Sequence, residues 1–506
     1  MVDDELQGFA DAATLKSRYG ASSSAFLLGL AHPDHEVNFP VGIEDDRHLF
    51  IMAGSRAGKG TSMIIPNLLH WQGGVFCIDP KGENASITAM RRGTKDKAKG
   101  TGTSTRHFLS QNVAILDPMN IVRGAAKIYR VSYDPLADID IGTDDEVDQI
   151  LSIGEAIVMA DGGKDSHWSD NARTILVGII EAVLHSEKDT ANHSLAFCRS
   201  IFQRGMKDVT DAQGTVIKEG VEAYLEDAPE TDGGLAKDAY ALLQDAGEDE
   251  AGSFSTTLSR QLQFLANPKM QKHLKNDGFS LTQAVRENWS IYVCLPPAQI
   301  ARMKRWMRAL VRVALEAKMH PDHKHHGQQS LFLLDEFYSL GKMKEIEESA
   351  AYMAGYGIKL VPVIQNIGQV EELYDKNWET FLGNAGAIIA WGLNDHRSEK
   401  YISDRLGNVL RWEISKSAGS STKAGDFFAA STSENLSTAL HERPVRRPNE
   451  VHTDGARDEY RAFIVPASSE PFMVRRVEYF RQWQNDQIYD DPAFIDTWET
   501  DYGTYS

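Results

Sequence analysis

Short apolar runs recur along the chain and alternate with stretches of helical periodicity. The runs that we predict to be strands occupy residues 49–52, 75–78, 113–116, 291–295, 331–334, 360–364, 387–390 and 462–465. Segments 303–319 and 344–352, which lie between them, have helical spacing. This interleaving predicts an α/β fold in which a parallel sheet has helices on both faces.

The middle of the chain has a different pattern. Residues 147–284 show helical periodicity with almost no β-branched runs, and residues 165–185 are predicted to form one long helix. Residues 190–284 are polar and rich in acidic side chains, so we predict an inserted all-α domain there. A stretch at 415–437 rich in Ser, Ala, Gly and Thr is expected to be a mobile surface loop, or else a loop that faces a channel.

Composition and charge restrict the class of protein. A chain of 506 residues calls for two or three domains, and no apolar run reaches the roughly 18 residues that cross a bilayer, so we expect a soluble cytosolic chain. The formal net charge of −19 argues against non-specific wrapping of DNA, but it is compatible with a motor that has a basic channel. The distant cysteines Cys77, Cys198 and Cys294 are expected to be buried thiols.

The strongest chemical signal lies between the first predicted strand and the helical stretch that follows it. A glycine-rich turn that ends in Gly-Lys in this position is typical of a phosphate-binding P-loop, whose backbone N–H groups and lysine surround the phosphates. Lys59 is also assigned a catalytic role at the β- and γ-phosphates, and ATP with Mg²⁺ is the expected pair of cofactors. We assign nucleotide binding to the residues of this turn: Gly54, Ser55, Arg56, Ala57, Gly58, Lys59, Gly60 and Thr61.

Two positions depart from the usual P-loop pattern. Ala53 replaces the first glycine, and Gly60 stands where a serine or threonine normally binds Mg²⁺. The next hydroxyl belongs to Thr61, which we assign to the metal instead. A glycine-rich turn between a strand and a helix that binds no ligand is the alternative interpretation.

A predicted strand that ends in two acids supplies the other half of such a site. Asp335 and Glu336 follow the apolar run at 331–334, and carboxylates at the carboxyl end of a parallel strand face the phosphate crevice. Asp335 is assigned to Mg²⁺ and Glu336 to the general base that polarises the attacking water. Gln365, at the end of the next strand, either contacts the γ-phosphate or simply caps its strand.

Other polar residues carry weaker signals. Asp79 and Lys81 end the strand after the P-loop and either reach a nucleotide or a neighbouring subunit or form a salt bridge within their turn. Four arginines share one face of a predicted helix, which we expect to be solvated, with a DNA- or subunit-facing stripe as the alternative: Arg302, Arg305, Arg308 and Arg312. Four histidines cluster after that helix, where metal binding is the less favoured interpretation: His320, His323, His325 and His326.

Several short motifs stand at characteristic places along the chain. Residues 56–60 read Arg-Ala-Gly-Lys-Gly and precede Ile-Pro-Asn-Leu at 65–68, and Asp-Pro-Lys-Gly-Glu follows at 79–83. His-Trp stands at 167–168, Leu-Asp-Glu-Phe at 334–337 and Gly-Tyr-Gly at 355–357. On these motifs the chain resembles the VirD4/TraG family of type IV coupling proteins from about residue 12 to residue 480.

The resemblance implies a RecA-like P-loop NTPase domain with an inserted all-α domain. The chain then divides into an N-terminal segment (1–40), a nucleotide-binding domain in two parts (41–189 and 285–506) and the all-α domain (190–284). The implied activity is that of an ATPase that translocates DNA as a homo-hexamer, whose assembly could depend on DNA. The implied partners are DNA, a relaxase or secreted protein, and the type IV secretion channel at the cytoplasmic face of the inner membrane.

Three features depart from the pattern of the family. Its members typically carry N-terminal transmembrane helices, and none is visible here, so the chain is either shortened or a soluble variant. Some members carry an arginine before the Gly-Tyr-Gly turn that could act on a neighbouring subunit; Ala354 stands there, which leaves Arg397 and Arg405 as weaker candidates. No long acidic stretch is visible near residue 506, so a tail that recruits substrates is expected to be absent.

Two other functions are compatible with the sequence. A double-stranded DNA translocase of the FtsK or HerA kind would share the core fold, but the His-Trp and Gly-Tyr-Gly motifs favour a coupling protein. A nucleotide-binding docking platform with little turnover is suggested by Gly60 and by Ala354. The presence of Lys59 and of the acidic pair argues against that platform.

Overall fold

A computed structural model gives the structure of the chain. It describes residues 6–32, 38–103, 105–159, 166–210, 216–325, 327–350, 352–421, 431–483 and 489–490. The strands are β1 (Phe26–Ala31), β2 (Pro40–Ile43), β3 (His48–Ala53), β4 (Val75–Asp79), β5 (Val113–Leu116), β6 (Val209–Thr210), β7 (Val216–Lys218), β8 (Ser290–Cys294), β9 (Ser330–Leu334), β10 (Ile358–Ile364), β11 (Ala385–Trp391), β12 (Asn408–Ser421), β13 (Ser431–Pro444), β14 (Arg461–Pro466) and β15 (Phe472–Arg475).

The helices are distributed among these strands. They are α1 (Ala12–Tyr19), α2 (Ile65–His70), α3 (Glu83–Arg92), α4 (Lys95–Ala98), α5 (Glu146–Ile157), α6 (Ser166–Ser186), α7 (Leu195–Phe202), α8 (Val221–Glu226), α9 (Leu235–Asp245), α10 (Glu248–Gln261), α11 (Pro268–His273), α12 (Leu281–Arg286), α13 (Pro297–Met319), α14 (Lys344–Ser349), α15 (Ile367–Tyr374), α16 (Trp378–Gly383), α17 (His396–Leu406), α18 (Pro448–Asp454) and α19 (Tyr479–Gln482). None of these helices of the described chain is both long enough and apolar enough to cross a membrane.

One sheet of eleven strands holds the nucleotide-binding part together, in the order β2-β1-β15-β14-β11-β3-β10-β9-β4-β8-β5. Each of the eight apolar runs that predicted a strand forms one. The strands from β11 to β5 are parallel, which confirms the expected mostly parallel sheet. Strands β1, β2 and β15 were not predicted, because the pattern in the first forty residues is weak and β15 is short.

The expectation that β14 is parallel was wrong. Strand β14 runs antiparallel to β11, with Ile389 opposite Ile464. The chain reaches it from α18, whose end lies beside the carboxyl end of β11, where the Gly392 N–H donates to the Gly455 carbonyl at 2.7 Å. Since the chain arrives at that end of the sheet, the next strand has to run back.

The sheet is apolar on both faces because its strands are almost continuous apolar runs. Alternate residues enter different cores: Phe50 and Phe76 join one core, and Leu49 and Val75 join the other. Helices α2 and α3 cover one face, and α6 and α13 contribute to the core of the other. This arrangement confirms the helices expected on both faces. The three cysteines are buried and unbonded to one another, as expected.

The helical middle of the chain packs around α6. This helix confirms the long helix predicted at 165–185, except that Asp165, the first residue of the predicted range, lies outside the described residues. Buried residues of α6 such as Ile179 share a single core with α10 and with the sheet. The expectation of a purely helical segment at 190–284 was wrong in one detail, because β6 and β7 form a small antiparallel hairpin there. The division of the chain at residues 190 and 284 stays a prediction.

The stretch expected to be a loop at 415–437 is different in the described residues. Strands β12 and β13 form a long antiparallel ribbon, with Asn408 opposite Pro444 and Ser421 opposite Ser431. Composition suggested a loop, but a ribbon satisfies its backbone groups through its own ladder, whatever its side chains are. Residues 422–430 of the expected loop lie outside the described part of the chain.

A buried arginine fixes the turn that leads into β4. Arg92, fully buried at the end of α3, donates from Nη1 to the carbonyls of Leu68 (2.6 Å) and Trp71 (2.9 Å) and from Nη2 to that of Gly73 (2.8 Å). Its Nε also donates to Ser290 Oγ on β8, at 2.6 Å. One guanidinium therefore joins the end of α2, the start of β4 and the neighbouring strand.

Replacing Arg92 with lysine is expected to destabilise the fold. An ammonium group has three donors and no planar fork, so buried carbonyls lose partners, at a cost of about 2 kcal/mol or more. Thermal unfolding followed by circular dichroism should show a lower melting temperature for Arg92→Lys and no change for Arg302→Lys, a control at an exposed position of α13. Equal melting temperatures of the two variants would contradict the role given to Arg92.

Candidate functional site

Four neighbouring parallel strands bring the predicted site residues to one edge of the sheet. In the register of the sheet, Ile364 of β10 lies opposite Met52 of β3, and Leu334 of β9 lies opposite Pro362 of β10 and Ile78 of β4. The residues that follow these strands therefore meet at their carboxyl ends. A cavity of about 1180 Å³ opens there.

The cavity collects nearly all of the residues that the sequence assigned to nucleotide, metal and catalysis. They are Ser55, Arg56, Ala57, Gly58, Lys59, Gly60, Thr61, Asp335, Glu336 and Gln365. Gly54 does not line the cavity. A Cβ on Gly54 would overlap the carbonyl oxygen of Gly392, so this glycine permits the turn after β3 to lie close to the end of β11.

Two residues of the P-loop have left-handed backbone conformations. They are Arg56, with φ of 59°, and Gly58, with φ of 81°. The carbonyl of Ala57 between them accepts hydrogen bonds from Trp391 Nε1 (2.8 Å) and from Arg476 Nη1 (3.1 Å). These two donors hold the loop in its turned conformation from the side of β11 and β15.

Arg476 is a supporting residue that sequence reasoning missed. It is buried, its guanidinium lies 5.5 Å from the centre of the Trp391 ring, and burial lowers its pKa to about 10, so it remains charged at neutral pH. It follows β15, an unpredicted strand, more than 400 residues after the loop that it supports. No local pattern in the sequence could have revealed this contact.

The helix after the P-loop begins with a π-helical turn, Gly60–Ile64, which continues into α2. Such turns are rare and are concentrated at functional sites. Pro66 was expected to kink or shorten this helix; it stands directly after the π-helical turn, and α2 is only six residues long. A Cβ on Gly60 would meet nothing within 4 Å, so packing does not require glycine there.

Two hydroxyls follow Lys59, and they differ in position. Thr61 lines the cavity and donates to the Gly58 carbonyl at 3.2 Å. Ser62 is buried and donates to the same carbonyl at 2.8 Å. Of the two, Thr61 is therefore the hydroxyl that is available to a ligand in the cavity.

The acidic pair at the end of β9 has an unusual backbone. Glu336 adopts a left-handed conformation with φ of 60°, which is rare for a residue with a side chain and occurs mainly at functional sites. Its N–H donates to Asp335 Oδ1 at 3.1 Å. Burial raises the pKa of Asp335 to about 6, against the attraction of Lys59, which lowers it. Lysine and carboxylate therefore act on each other across the cavity.

The oxygen donors in the cavity fit magnesium. The Thr61 hydroxyl and the Asp335 carboxylate are hard ligands of the kind that Mg²⁺ prefers, and Mg²⁺ commonly takes only one or two protein ligands beside phosphates and water. Among the described residues no group of three or more His, Cys, Asp or Glu side chains could hold a metal by itself. The donor set thus suits a metal that arrives with phosphate oxygens.

Asp79 and Lys81 also line the cavity, at the end of β4. Asp79 is buried; its Oδ2 accepts the Ala85 N–H at 2.9 Å and lies 3.8 Å from Cys294 Sγ. Burial raises the pKa of Asp79 to about 7, and its hydrogen bond with Ala85 opposes the rise. In the described chain Asp79 and Lys81 form no salt bridge with each other, so that alternative interpretation was wrong.

The four arginines of α13 do not share one solvated face, because Arg302 is exposed whereas Arg308 is buried. Arg308 is buried and donates to the carbonyls of Leu340 (2.9 Å) and Lys342 (2.8 Å), in the loop that follows Glu336. Arg312 forms ion pairs with acids on three helices: Glu155 (2.6 Å), Glu316 (3.0 Å) and Glu345 (2.5 Å). Helical spacing alone predicted the wrong environment for Arg308 and Arg312, because most of the acids and carbonyls that bind them belong to distant segments.

The remaining sequence candidates lie elsewhere. His320 pairs with Asp145 at 3.2 Å, and His326 lies outside the described residues. Arg397 pairs with Glu371 at 2.8 Å, and Arg405 is exposed on α17. Neither arginine lines the cavity of its own chain.

Comparison with known proteins points to one family. The family described as type IV secretory system conjugative DNA transfer matches residues 31–500. Two conjugal transfer proteins TraG of Escherichia coli are 29% identical over 371 residues (71% of this chain, 53% of the relative) and 27% identical over 449 residues (85% and 65%). The protein VirD4 of Rhizobium radiobacter is 24% identical over 442 residues (86% and 57%). The chain thus spans between 53% and 65% of the length of these relatives.

Solved structures give the same fold. The plasmid coupling protein TrwB in complex with ADP and Mg²⁺ has a TM-score of 0.63 at 14% identity, over 93% of this chain and 94% of that one. The unbound monoclinic form of TrwBdeltaN70 has a TM-score of 0.62 at 14% identity, over 92% and 91%. The RecA-like P-loop fold that the sequence indicated is therefore confirmed.

The buried Asp79 is expected to make the stability of the protein depend on pH. Its pKa rises from 3.8 in the unfolded chain to about 7 in the folded one, so the folded state holds the proton more tightly. The contribution of this bound proton to the free energy of unfolding has its full value below pH 3.8 and is lost as the pH rises through about 7. Between about pH 5 and pH 8, the melting temperature should fall further for the wild type than for Asp79→Asn.

An exposed aspartate provides the control for this measurement. Asp277→Asn should keep the pH dependence of the wild type, because Asp277 is exposed. Parallel pH profiles for the wild type and Asp79→Asn would contradict the assignment of the proton to Asp79.

Proposed function

This chain belongs to the type IV secretory family of conjugative DNA transfer proteins, and on that premise we propose that it is an ATP-hydrolysing motor. Its task is to move DNA or a nucleoprotein substrate, such as a relaxase bound to DNA or a secreted protein, to a type IV secretion channel. The observation that supports this most strongly is the meeting of Lys59, Thr61 and the acidic pair in one cavity.

The arrangement supports binding of ATP by its phosphates. Solved structures of the coupling protein TrwB are described as complexes with ADPNP and with ADP and Mg²⁺. In this chain the backbone N–H groups of the turn at 56–61 and the Lys59 ammonium would surround the β- and γ-phosphates. The start of the helix adds the positive end of its dipole to the same place.

Mg²⁺ would be held by Thr61 and Asp335, directly or through water. Bound there, the ion supplies the positive charge that neutralises the phosphate oxygens during transfer. Asp335 has to be ionised for this task. Lys59 favours the ionised carboxylate and opposes the burial that raises its pKa to about 6.

Glu336 is the proposed general base. Its left-handed backbone directs the chain away from the strand, and it lines the cavity together with Lys59. There its carboxylate would accept the proton of the water that attacks the γ-phosphate. Gln365, at the end of the neighbouring strand, lines the same cavity and would contact the γ-phosphate; its own N–H is fixed by Gln369 Oε1 at 2.8 Å.

Assembly and location are further parts of the proposal. The relatives TraG and VirD4 are named as conjugal transfer and type IV secretion coupling proteins, which supports action at a secretion channel on the cytoplasmic face of the inner membrane. A homo-hexamer that forms around DNA would give the motor a central channel. The net charge of −19 is compatible with such a motor if its phosphate-binding basic groups line the channel.

The central test is ATP hydrolysis by three variants and the wild type. Lys59→Ala should lose both ATP binding and hydrolysis, whereas Glu336→Gln should keep binding and lose about 100-fold or more in kcat, as expected for loss of a general base. Glu348→Gln, at an exposed position of α14, is the matched control and should hydrolyse ATP at the rate of the wild type. Full activity of Glu336→Gln would refute its proposed role.

The same assay with DNA and a series of protein concentrations tests the motor. An oligomer that acts on DNA would be supported if DNA raises the rate of hydrolysis and if the rate increases more than in proportion to the protein concentration. Hydrolysis that ignores DNA would contradict the motor and point to an ATPase controlled by proteins. ATP binding by the wild type without hydrolysis under any condition would favour the docking platform.

A further inference from the structure

Lys304 is one of the lysines that line the nucleotide cavity, and no role has yet been given to it. It lies on α13, is half-buried and lines the cavity with Lys59. A Cβ added to Gly341 would lie only 2.5 Å from Lys304 Nζ. The ammonium group therefore lies against Gly341, in the short segment that follows Glu336, and Lys304 and Glu336 line the same cavity.

The charge of Lys304 is uncompensated within the described chain, where its ammonium has no hydrogen bond and no ion pair. Burial is the main cause that lowers the pKa of Lys304, and the charged groups that lower it further are two cations, Arg308 and Arg305. Acids that line the same cavity, such as Glu336 and Glu372, form no ion pair with it. A partly buried ammonium without a partner costs free energy, and an anionic ligand would repay that cost.

Lys342 lines the same cavity, but its ammonium group has partners within the chain. It pairs with Glu347 at 3.0 Å, and its Nζ lies 5.8 Å from the centre of the Tyr374 ring. The contrast matters because both lysines lie beside the same loop, and only Lys304 keeps its donors for a ligand. Meanwhile Arg308, one turn further along α13, holds that loop through the carbonyls of Leu340 and Lys342.

We propose that Lys304 binds an oxygen of the terminal phosphate group of the nucleotide, before or after that group is cleaved. The proposal rests on the proposed function, because the γ-phosphate has to lie near Glu336 if Glu336 activates the attacking water. Arg397 and Arg405 do not line the cavity of their own chain. Lys304 then supplies a cation to the terminal phosphate from the same chain that binds the nucleotide. Lys59 remains the ligand of the β- and γ-phosphates.

The experiment compares nucleotides that differ only in the terminal phosphate. Binding of ADPNP, of ADP, and of ADP with inorganic phosphate is measured by calorimetry, with Mg²⁺, for the wild type and for Lys304→Met. Loss of one charge-assisted hydrogen bond should weaken ADPNP binding about tenfold or more and leave ADP binding within about twofold. Lys304→Arg should retain most of the ADPNP affinity, and Lys344→Met, at an exposed lysine outside the cavity, should change neither affinity.

The free-phosphate arm identifies the source of the ligand. Weaker ADPNP binding assigns Lys304 to the attached γ-phosphate. Unchanged ADPNP binding with loss of the effect of inorganic phosphate on the ADP complex assigns it to the released phosphate. Either outcome supports the proposal. Equal losses for ADPNP and ADP, or no loss in any arm, would overturn it.

A stability measurement separates a ligand-binding lysine from a structural one. Without nucleotide, Lys304→Met should melt at the same temperature as the wild type or higher, because an unpaired charge is removed. A lower melting temperature would show that Lys304 supports the fold and would overturn the proposal. If Lys59→Ala still bound ADPNP like the wild type, the proposed function would fail. If Lys59→Ala lost ADPNP binding and Lys304→Met changed no affinity, only this inference would fail.

Discussion

The parallel register of β3, β10, β9 and β4 is the constraint on which the rest of the structure depends. Hydrogen bonding along these four strands places their carboxyl ends side by side, with Leu334 of β9 level with Ile78 of β4. The residue after each strand consequently faces one cavity. A shift of one residue in a strand would turn its side chains to the other face and move its terminal residue out of the site. The chemistry of the cavity is therefore set by backbone pairing before any side chain is considered.

Buried arginines fix the loops next to these strands by donating hydrogen bonds to their backbone carbonyls. Arg92 holds the turn into β4, Arg308 holds the loop after Glu336, and Arg476 holds the P-loop. Each of them donates to backbone carbonyls, which a planar guanidinium can reach in several directions at once. Loops that carry polar groups next to a cavity need such partners, because buried carbonyls without donors are costly. These contacts fix the walls of the site, and the unpaired ammonium of Lys304 lies against Gly341, in the segment that follows Glu336.

The sequence predicted the central sheet well, and nearly all of the residues that it assigned to the site meet in one cavity. Continuous apolar runs such as 331–334 leave little alternative to a strand buried on both faces, and Gly58 with Lys59 after a strand has few other uses. The edge strands were missed because β1 and β2 have weak local patterns. Strand β1 joins the sheet by pairing with β15, far along the chain, and β2 joins it by pairing with β1. Position on a helix face likewise could not distinguish a solvated Arg308 from a buried one, since its partners lie on another segment.

The account rests on a nucleotide whose phosphates lie in the P-loop and whose metal lies between Thr61 and Asp335. The most direct measurement is a crystal structure of the protein with ADPNP and Mg²⁺. The account predicts the γ-phosphate beside Lys59 and Glu336, with the metal within coordination distance of the Thr61 hydroxyl or of a water held by Asp335. Phosphates bound away from the turn at 55–61, or a metal that contacts neither residue, would contradict it.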